Sequence, residues 1–504
     1  DRIARADSSL GFSSLAAAAP AVSIWDPAAL MQALLRSRRD AGIPAGVGWQ
    51  LSPRGLLAVI PERPSAAGAQ GRAPWTVVRL LASAADLRGE PIPVSSSGED
   101  SDEEPSLEPP LVSDSAGVYL VVADSTSRLP APSLGDALSR LAHAWDLQNF
   151  RLLFGELPQP NPRIVTRRDA RERLRLLAPF FTQGSIIHPL VWADTLYWSV
   201  ELFATSTTYP LSDRDTLAGQ DWSYVHHAAT GLVNAQSGQV TLVGDSPTEP
   251  VAESWMRRFP ALFTHRGGLP PALSGAIPPS VDAARIMAAA FARVGSRDQV
   301  LSRGHIPWND GADTLFLRDA QPVFLLPARD SALAWTVPVL DENDHVLGLL
   351  IATGGEEPTT YWLAVDTRQT RWSAVVDQLH QLPDTPAVLP RDTRAARGAV
   401  RALPVAGEVA YAQPTYAWRA GAAPSLVRVN VLAGGSVAGG RTLAAASTTP
   451  PAGAAARTPP SPQSFRARVG ALYEDMRAAL RRGDWSAFGR AYDALGELLR
   501  ASPP

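Results

Sequence analysis

The sequence predicts an α+β fold, with mixed and antiparallel sheets in two β-rich lobes, flanking helices and a C-terminal helical hairpin. Its short apolar runs come in pairs around tight turns, as in hairpins. No glycine-rich strand-to-helix crossover, the sign of a parallel doubly wound sheet, separates them. The 504 residues are 45% hydrophobic and 19% charged, which is typical of a globular chain with a substantial core.

The first lobe is predicted over residues 25–270, after an N-terminal arm at 1–24 that lacks periodicity. It opens with a helix at 28–39, for which Asp26 is the predicted N-cap, and continues with strands between 46 and 87. Residues 95–110 are acidic and almost free of apolar side chains, so we expect a mobile surface loop or an acidic docking segment. A strand at 118–123 precedes a helix at 134–154. Four apolar residues are predicted to face inward from that helix: Leu138, Leu141, Trp145 and Leu147.

A helix that begins near Arg167 and a hairpin form the clearest part of this lobe. Leu174, Leu177 and Ala178 recur at helical spacing before Pro179. A turn at Gly184 then leads to two strands around residues 193–195, the second of which alternates Leu196, Trp198, Val200 and Leu202 with Tyr197, Ser199, Glu201 and Phe203. A second strand pair follows at 224–243 with its turn at 236–238, and then an amphipathic helix at 250–263.

The second β-rich lobe is predicted over residues 271–443. It begins with a helix at 278–294, for which Ser280 is the predicted N-cap. Strands are expected at 314–317, 323–326, 335–340, 346–353, 361–365, 411–418 and 426–432. A Pro/Ala linker at 444–463 leads to a helical hairpin at 464–504, in which Trp485 is expected to pack in the core.

Composition excludes several function classes. A net charge of −3 gives no basic field for nucleic acid, so no nucleic-acid partner is expected. The chain has no lysine and no cysteine, which removes Walker A loops, Schiff-base chemistry, thiol nucleophiles, thiolate metal sites and disulfides. No apolar run of membrane-spanning length is present. The start at Asp1 suggests a processed or truncated product.

Candidate site residues each have a simpler structural interpretation, so no catalytic, cofactor-binding or metal-binding residue is assigned. The adjacent His226 and His227 should point to opposite faces of a strand, and none of the eight histidines has metal-ligand spacing. Other candidates are the possible acid–base set of His188, Asp194 and Glu201, the incomplete serine elbow of Gly434, Gly435, Ser436, Val437 and Ala438, the faint esterase echo of Gly244, Asp245 and Ser246, and the half calcium loop of Asp341, Asn343 and Asp344. We expect these to be surface, turn and hairpin residues.

Seven segments in matching order resemble the bacterial membrane proteins grouped as uncharacterised protein family 0182. They are IWDPAAL at 24–30, RERLRLLAPFF at 171–181, LYWSVELFATSTTYPLS at 196–212, VNAQSGQVTLV at 233–243, SWMRRFPALF at 254–263, EVAYAQPTYAWR at 408–419 and GDWSAFGRAYDALGELL at 483–499. The resemblance spans nearly the whole chain. The resemblance implies that this chain corresponds to the large extracytoplasmic domain that follows the family's transmembrane helices. The transmembrane helices themselves are missing from the match. Residues 275–400 resemble the family only poorly.

The resemblance implies a location outside the cytoplasmic membrane, periplasmic or extracytoplasmic and peripheral to the bilayer. The expected function is therefore that of a non-catalytic extracytoplasmic module, an extrinsic structural subunit that binds integral membrane proteins of a respiratory, transport or photosynthetic complex. The alternative is an envelope ligand-binding protein or hydrolase with a site between the two lobes. A pocket that gathers His, Asp and Arg would favour the alternative, and a large flat apolar patch would favour docking.

Overall fold

The computed structural model describes residues 3–6, 10–37, 42–52, 54–63, 75–84, 87, 106–107, 111–113, 119–123, 131–157, 161–210, 212, 214–245, 248–294, 324–326, 332–341, 343–365, 370–381, 392–448, 473 and 477. The chain divides into two units, residues 1–449 and 450–504. In the second unit only Tyr473 and Arg477 are described, both helical and exposed. The predicted linker beyond residue 448, the hairpin packing of Trp485 and the strand at 314–317 therefore lie outside the described residues.

The first unit alternates short helices with many strands. The helices among the described residues are α1 Leu15–Ala18, α2 Pro27–Ser37, α3 Ala137–Asp146, α4 Arg151–Phe154, α5 Ala170–Leu177, α6 Pro250–Arg258, α7 Pro271–Ala276, α8 Val281–Val294, α9 Trp372–Gln381 and α10 Leu443–Thr448. Two 3₁₀ turns lie at Ala19–Ala21 and Arg266–Gly268. The strands before α6 are β1 Ile3–Arg5, β2 Ile43–Pro44, β3 Gly48–Ser52, β4 Gly55–Arg63, β5 Trp75–Leu81, β6 Ser106–Leu107, β7 Tyr119–Ala123, β8 Pro162–Thr166, β9 Thr182–Trp192, β10 Thr195–Ser206, β11 Asp215–Leu217, β12 Gln220–Trp222, β13 Tyr224–Asn234 and β14 Val240–Gly244. The later strands are β15 Phe263–His265, β16 Phe324–Leu326, β17 Ala332–Leu340, β18 Val346–Thr353, β19 Thr360–Ala364, β20 Arg394–Arg397, β21 Arg401–Val405, β22 Glu408–Trp418, β23 Ser425–Ala433 and β24 Ser436–Gly440.

These strands form four five-stranded sheets and two small ladders, so the predicted α+β class with mixed and antiparallel sheets is confirmed. Sheet 1 has the order β2-β4-β5-β6 with β3 on β4, and sheet 2 the order β15-β14-β13-β10-β9. Sheet 3 has the order β1-β19-β18-β17-β16, and sheet 4 the order β20-β22-β23-β24 with β21 on β22. The ladders are β7-β8 and β11-β12. Every described pair within named strands is antiparallel except β1 with β19 and β14 with β15.

Sheet 2 contains the hairpin of β9 and β10, which is the clearest prediction from the sequence. Asp169 caps α5 by accepting a hydrogen bond from the N–H of Glu172, three residues on. Leu196, Trp198 and the other even-numbered apolar residues of β10 are buried on the face that packs on α5, α6 and sheet 1. Gly184 does not form the predicted turn, because β9 runs on through it with a register shift opposite β10.

The segment predicted as an N-terminal arm contributes to the body of the fold. Strand β1 pairs with β19, and Phe12 forms a bridge with Val405. Phe12 and much of residues 18–25 belong to the largest buried cluster. The lack of periodicity in this segment reflects single side chains that fill gaps in the core rather than an absence of contacts.

The largest buried cluster crosses the boundary predicted at residue 270. It joins residues 12–82 to residues 333–446, and includes the fully buried Trp25 and Tyr416, whose ring centroids are 5.3 Å apart. Residues assigned from sequence to two lobes therefore share one core. Most strands pair with a strand close in sequence, which periodicity and turns can predict, whereas this packing and the pairing of β1 with β19 join segments hundreds of residues apart.

Several local predictions are wrong. The helix predicted at 134–154 is two helices, α3 and α4, separated at Gln148, which has a positive φ of 50°. The helix predicted at 250–263 ends at Arg258, because Pro260 follows and Phe263 begins β15. Ser106 and Leu107, within the predicted acidic loop, pair with β5.

Of the four residues predicted to face inward from the helix at 134–154, Leu147 is partly buried against a core cluster and the other three are exposed. Leu138 is 77% exposed and Trp145 is 67% exposed, and Leu141 is exposed as well. The buried residue of α3 is Ala144. On α5, Leu174 and the following Ala178 are buried as predicted, but Leu177 is exposed. The helical periodicity predicts the apolar stripe of α3, but it does not indicate whether other parts of the protein cover that stripe.

Candidate functional site

The main polar cluster of the described residues lies where sheet 2 meets the start of α8. The odd-numbered residues of β10 face away from the main core, and α7 with the beginning of α8 covers them. At Glu201 this covered face of β10 meets polar residues from β13, the end of β14 and α8. We call this set the polar junction: Ser185, His188, Glu201, His227, Asp245, Arg266, Ser280 and Asp282.

Glu201 and Asp282 fasten α8 to sheet 2. The carboxylate of Glu201 accepts a hydrogen bond from the N–H of Val281 at 2.9 Å and another from the N–H of Asp282. Asp282 accepts hydrogen bonds from the Ser185 N–H at 2.6 Å and from its hydroxyl at 2.8 and 2.9 Å. The body of α8 then packs on sheet 3 through Ala284, so the polar junction links two sheets.

Gly184 allows this close approach. A Cβ there would lie 3.0 Å from Oδ2 of Asp282, 3.1 Å from Cβ of Glu201 and 3.2 Å from the ring of Phe203. All three neighbours are buried and have little room to move. The glycine that the sequence suggested as a turn is therefore required inside a strand.

Ser280, His227 and Asp245 have the spacing of a nucleophile, a base and an orienting acid. The Ser280 hydroxyl lies 2.9 Å from Nε2 of His227, and Nδ1 of His227 lies 2.8 Å from Oδ2 of Asp245. The other oxygen of Asp245 accepts a hydrogen bond from Nε of Arg266 at 2.5 Å. Arg266 also donates to the carbonyl of Gly355 at 2.8 Å and to the Thr230 hydroxyl.

Acyl transfer at Ser280 would also need free N–H donors for the oxyanion. The nearest suitable donors are the first N–H groups of α8, which begins at the next residue. Those of Val281 and Asp282 already donate to the carboxylate of Glu201. The carboxyl group of Glu201 therefore occupies the place where negative charge would develop, and the arrangement fits a hydrogen-bonded structural network better than a catalytic triad.

Burial and neighbouring charges set the protonation states of the polar junction. Burial, followed by the charge of Asp282, raises the pKa of Glu201 to about 7. Burial lowers the pKa of His188 to about 4. Burial alone would raise the pKa of Asp245, but the charges and hydrogen bonds of His227 and Arg266 outweigh it and hold that pKa well below its usual range. Oε2 of Glu201 and Nε2 of His188 are buried without a hydrogen-bond partner among the described residues.

Glu201→Gln is expected to change how stability depends on pH. Folding raises the pKa of Glu201 from 4.5 to about 7. The contribution of Glu201 to the free energy of unfolding is therefore fully present below pH ~4.5 and is lost as the pH rises through ~7. The total loss is about 3 kcal/mol. The lowered pKa of His188 acts in the opposite direction between pH ~6.5 and ~4. Comparing the variant with the wild type cancels the His188 contribution, and urea unfolding at pH 4.5 and pH 8 measures the difference.

The expected result is that Glu201→Gln gains stability relative to the wild type by about 3 kcal/mol between those two pH values. The charges that face Glu201 are those of Asp282 and Arg285 from α8 and His227 from β13. Glu253→Gln on the exposed face of α6 is the matched control and should show no such change. If the difference in free energy of unfolding between Glu201→Gln and the wild type is the same at both pH values, the burial assigned to Glu201 is contradicted.

The structure brings some of the sequence candidates together and separates others. Glu201 and His188 both lie near Asp282, but Asp194 has a positive φ in the β9–β10 turn and interacts with Arg79. Asp245 enters the polar junction, whereas Ser246 lies outside the described residues. His226 stacks beside Tyr224 and is not in the cluster with Ser280.

The remaining candidates lie in hairpins, as expected: residues 436–438 belong to β24, and the others lie in turns. Gly434 and Gly435 have positive φ in the two-residue turn between β23 and β24. Asp341 accepts hydrogen bonds from the N–H groups of Asn343 and His345 in the turn between β17 and β18. Within the described ranges, no three His, Cys, Asp or Glu side chains are grouped so that they could hold a metal ion.

Ser280, Asp282 and Arg266 were missed as members of a site by sequence reasoning. Ser280 was assigned only as a helix N-cap, and its carbonyl does accept the N–H of Ala284. The available signal was the polar alternation of β10, with Glu201 opposite Thr230 of β13. That pattern is typical of a solvated sheet face and does not reveal that α7 and α8 cover it.

Comparison with known proteins identifies a class of relatives. Residues 130–282, which contain α3 to α7 and sheet 2, match the Uncharacterised protein family (UPF0182). A UPF0182 protein of Cupriavidus necator is 26% identical over 401 residues, which cover 73% of this chain and 43% of that protein. For the UPF0182 protein of Synechocystis sp. the identity is 23% over 335 residues, with 60% and 32% covered. No solved structure matches.

The family model matches residues 130–282, whereas the alignment with the Cupriavidus necator protein covers 73% of the chain. The chain spans less than half the length of these two relatives. Among the described residues, no helix has the length and apolar character needed to cross a membrane.

Proposed function

We propose that this chain is an extracytoplasmic docking module that binds an integral membrane protein of a larger assembly. The observation that carries the proposal is an apolar surface on α3 and α4 that the described protein leaves uncovered. We call it the α3–α4 stripe: Leu138, Leu141, Ala142, Trp145, Phe150 and Phe154. The proposal includes respiratory, transport and photosynthetic assemblies.

The α3 part of the stripe is the apolar face of an amphipathic helix, and this face is exposed. Leu138, Leu141 and Trp145 follow one another at spacings of three and four residues, so they lie on one side of α3. Phe154 on α4 is 88% exposed. A surface helix normally turns its apolar face to the core, and an exposed apolar patch of several large side chains is typical of an interaction site.

The charges around the stripe favour a protein partner over a lipid surface. Residues 136–156 contain three carboxylates (Asp136, Asp146, Glu156) and two arginines (Arg140, Arg151). Helices that lie on anionic membranes carry an excess of basic residues, which is lacking here. Exposed Trp and Phe at helical spacing are instead the anchors by which one protein helix packs into the groove of another.

The partner is proposed to be membrane-embedded for two reasons. The seven family-like segments resemble the part of family 0182 that follows transmembrane helices. In addition, more than half of each relative lies beyond the region that this chain matches. We infer that the α3–α4 stripe contacts such a membrane-embedded portion, or a separate protein that takes its place.

Loss of the stripe is expected to release the protein from its membrane partner. We would isolate native membranes in low salt and mild detergent from cells with wild-type protein or with Trp145→Ser/Phe154→Ser. The wild type should migrate with an integral membrane protein, and the variant should be recovered free. Both replaced side chains are exposed, so the melting temperature should be unchanged.

Leu177→Ser/Tyr209→Ser is the matched control for this experiment. It removes two large side chains that are not part of the stripe, each about half-exposed. This variant should stay with the membrane partner. Recovery of the wild type as a free monomer under the same gentle conditions would contradict the docking proposal.

A second candidate, an envelope hydrolase, is favoured by the distances within Ser280, His227 and Asp245. A fluorophosphonate tests it, because this reagent phosphonylates a serine only when a base activates it. Since Glu201 occupies the oxyanion donors, we expect no label on Ser280 in the wild type. Stoichiometric label that disappears in Ser280→Ala would replace the docking proposal with the hydrolase.

A further inference from the structure

A cleft beside the polar junction is lined by two arginines. It has a volume of about 580 Å³ and opens between α5, the start of β9 and the β11–β12 turn. We call it the arginine cleft; its lining includes Arg171, Arg175, Phe181, Thr182, Gln183 and Ser185. The volume is within the range of small-molecule sites.

Arg171 is held in a fixed position at this cleft. Its guanidinium donates to the carbonyl of Gly184 at 2.8 Å and to that of Ser185 at 2.9 Å. The side-chain amide of Gln183 donates in turn to the carbonyl of Arg171 at 2.7 Å. A guanidinium has five N–H donors, so these bonds orient the group and leave donors for a ligand.

Arg175 follows one helical turn later and has no counter-ion among the described residues. It is exposed and makes no hydrogen bond or ion pair with any residue in the described part of the chain. Like charges four residues apart on a helix destabilise it. Burial is the main cause that lowers the pKa of Arg171; the charges of Asp169 and Asp282 raise it, and the charge of Arg175 lowers it by a smaller amount. The two arginines therefore repel each other at the cleft.

The carboxylates closest to Arg171 are engaged elsewhere. Asp169 accepts the N–H of Glu172 as the cap of α5. Asp282 accepts both the N–H and the hydroxyl of Ser185, and Arg285 lies 3.7 Å from it. Neither carboxylate forms an ion pair with Arg175. Asp169 and Asp282 partly offset the charge of Arg171, whereas the charge of Arg175 is left for a group from outside the described part of the chain.

We propose that the arginine cleft binds a small oxyanion, a carboxylate or a phosphate. Arg171 and Arg175 supply paired N–H donors, which suit the two oxygens of either group. Phe181 provides an apolar wall for the rest of the ligand. This site is separate from the α3–α4 stripe and does not depend on the docking proposal.

The probes are citrate and inorganic phosphate, titrated calorimetrically into the full chain at constant ionic strength set with NaCl. We expect at least one of them to bind with a dissociation constant of ~1 mM or below. Arg175→Ala should weaken that binding about tenfold or more, because it removes charged hydrogen bonds. Arg175 is exposed, and a thermal melt confirms that the variant folds.

Arg258→Ala is the matched control. It removes one exposed arginine from the end of α6, with the same change in net charge and outside the cleft lining. Binding that survives in Arg258→Ala and is lost in Arg175→Ala supports the site, and the probe that binds distinguishes carboxylate from phosphate. Binding of neither probe, or equal binding to the two variants, would overturn the proposal.

Discussion

Asp26→Ala should lower the free energy of unfolding by about 3–5 kcal/mol, because it leaves a buried arginine without its counter-charge. Asp26 is fully buried, and one oxygen lies 3.2 Å from Nη2 of Arg401, which is also buried. Tyr416 donates its hydroxyl proton to the Ile24 carbonyl and accepts the N–H of Asp26. Urea unfolding of variant and wild type measures the loss.

Two further variants separate burial of charge from loss of contact. Asp26→Leu/Arg401→Met replaces both charges with apolar groups and should recover much of the stability that Asp26→Ala loses. Glu253→Ala breaks the exposed pair between Glu253 and Arg257 and should cost at most about 0.5 kcal/mol. A cost for Asp26→Ala no larger than that of Glu253→Ala would show that the Asp26–Arg401 pair is not buried.

Trp198→Ala should cost a similar amount, about 3–5 kcal/mol, for a different reason. Trp198 is fully buried in the core cluster that sheet 2 shares with α5, α6 and sheet 1, and its indole N–H donates to the Val112 carbonyl at 3.2 Å. Removing it leaves a cavity and an unpaired carbonyl. Chemical denaturation measures the change.

The matched control is Trp145→Ala on the α3–α4 stripe. Because Trp145 is largely exposed, this substitution should change the stability of the isolated chain by no more than about 0.5 kcal/mol. Equal destabilisation by the two tryptophan substitutions would mean that the stripe is covered within the chain. The docking proposal would then lose its main support.

Local pattern was enough to predict β10, β13 and β14 of sheet 2. The alternation of Leu196, Trp198 and Val200 with polar residues corresponds to the observed faces of β10. The N-cap that Asp169 provides for α5 is likewise a local signal. Such features depend on residues close in sequence, so periodicity and capping rules reach them.

The candidate site was not predictable by the same means. Ser280 lies 53 residues from His227, and Val281 lies 80 residues from Glu201. Nothing in the polar alternation of β10 shows which later segment covers it. The sequence interpretation of Glu201 as a surface residue is therefore wrong, because burial under α8 is a property of tertiary packing.

The same limit explains the error on α3. Amphipathic spacing assigned Leu138 and Trp145 to a core, yet α3 rests on the body through the small Ala144. A helical stripe has the same pattern whether it packs within its own chain or against a partner. Only the tertiary structure separates these two cases, and it is this difference that supports the docking proposal.

Photo-crosslinking at the stripe itself tests whether a membrane protein contacts it. A benzophenone amino acid would replace Trp145 or Phe154, and in control cells Tyr209, which is exposed but is not part of the stripe. After irradiation of intact cells, we expect adducts with one integral membrane protein at positions 145 and 154 and none at 209. Adducts with lipid alone at positions 145 and 154, or no adduct there, would contradict a membrane-protein partner.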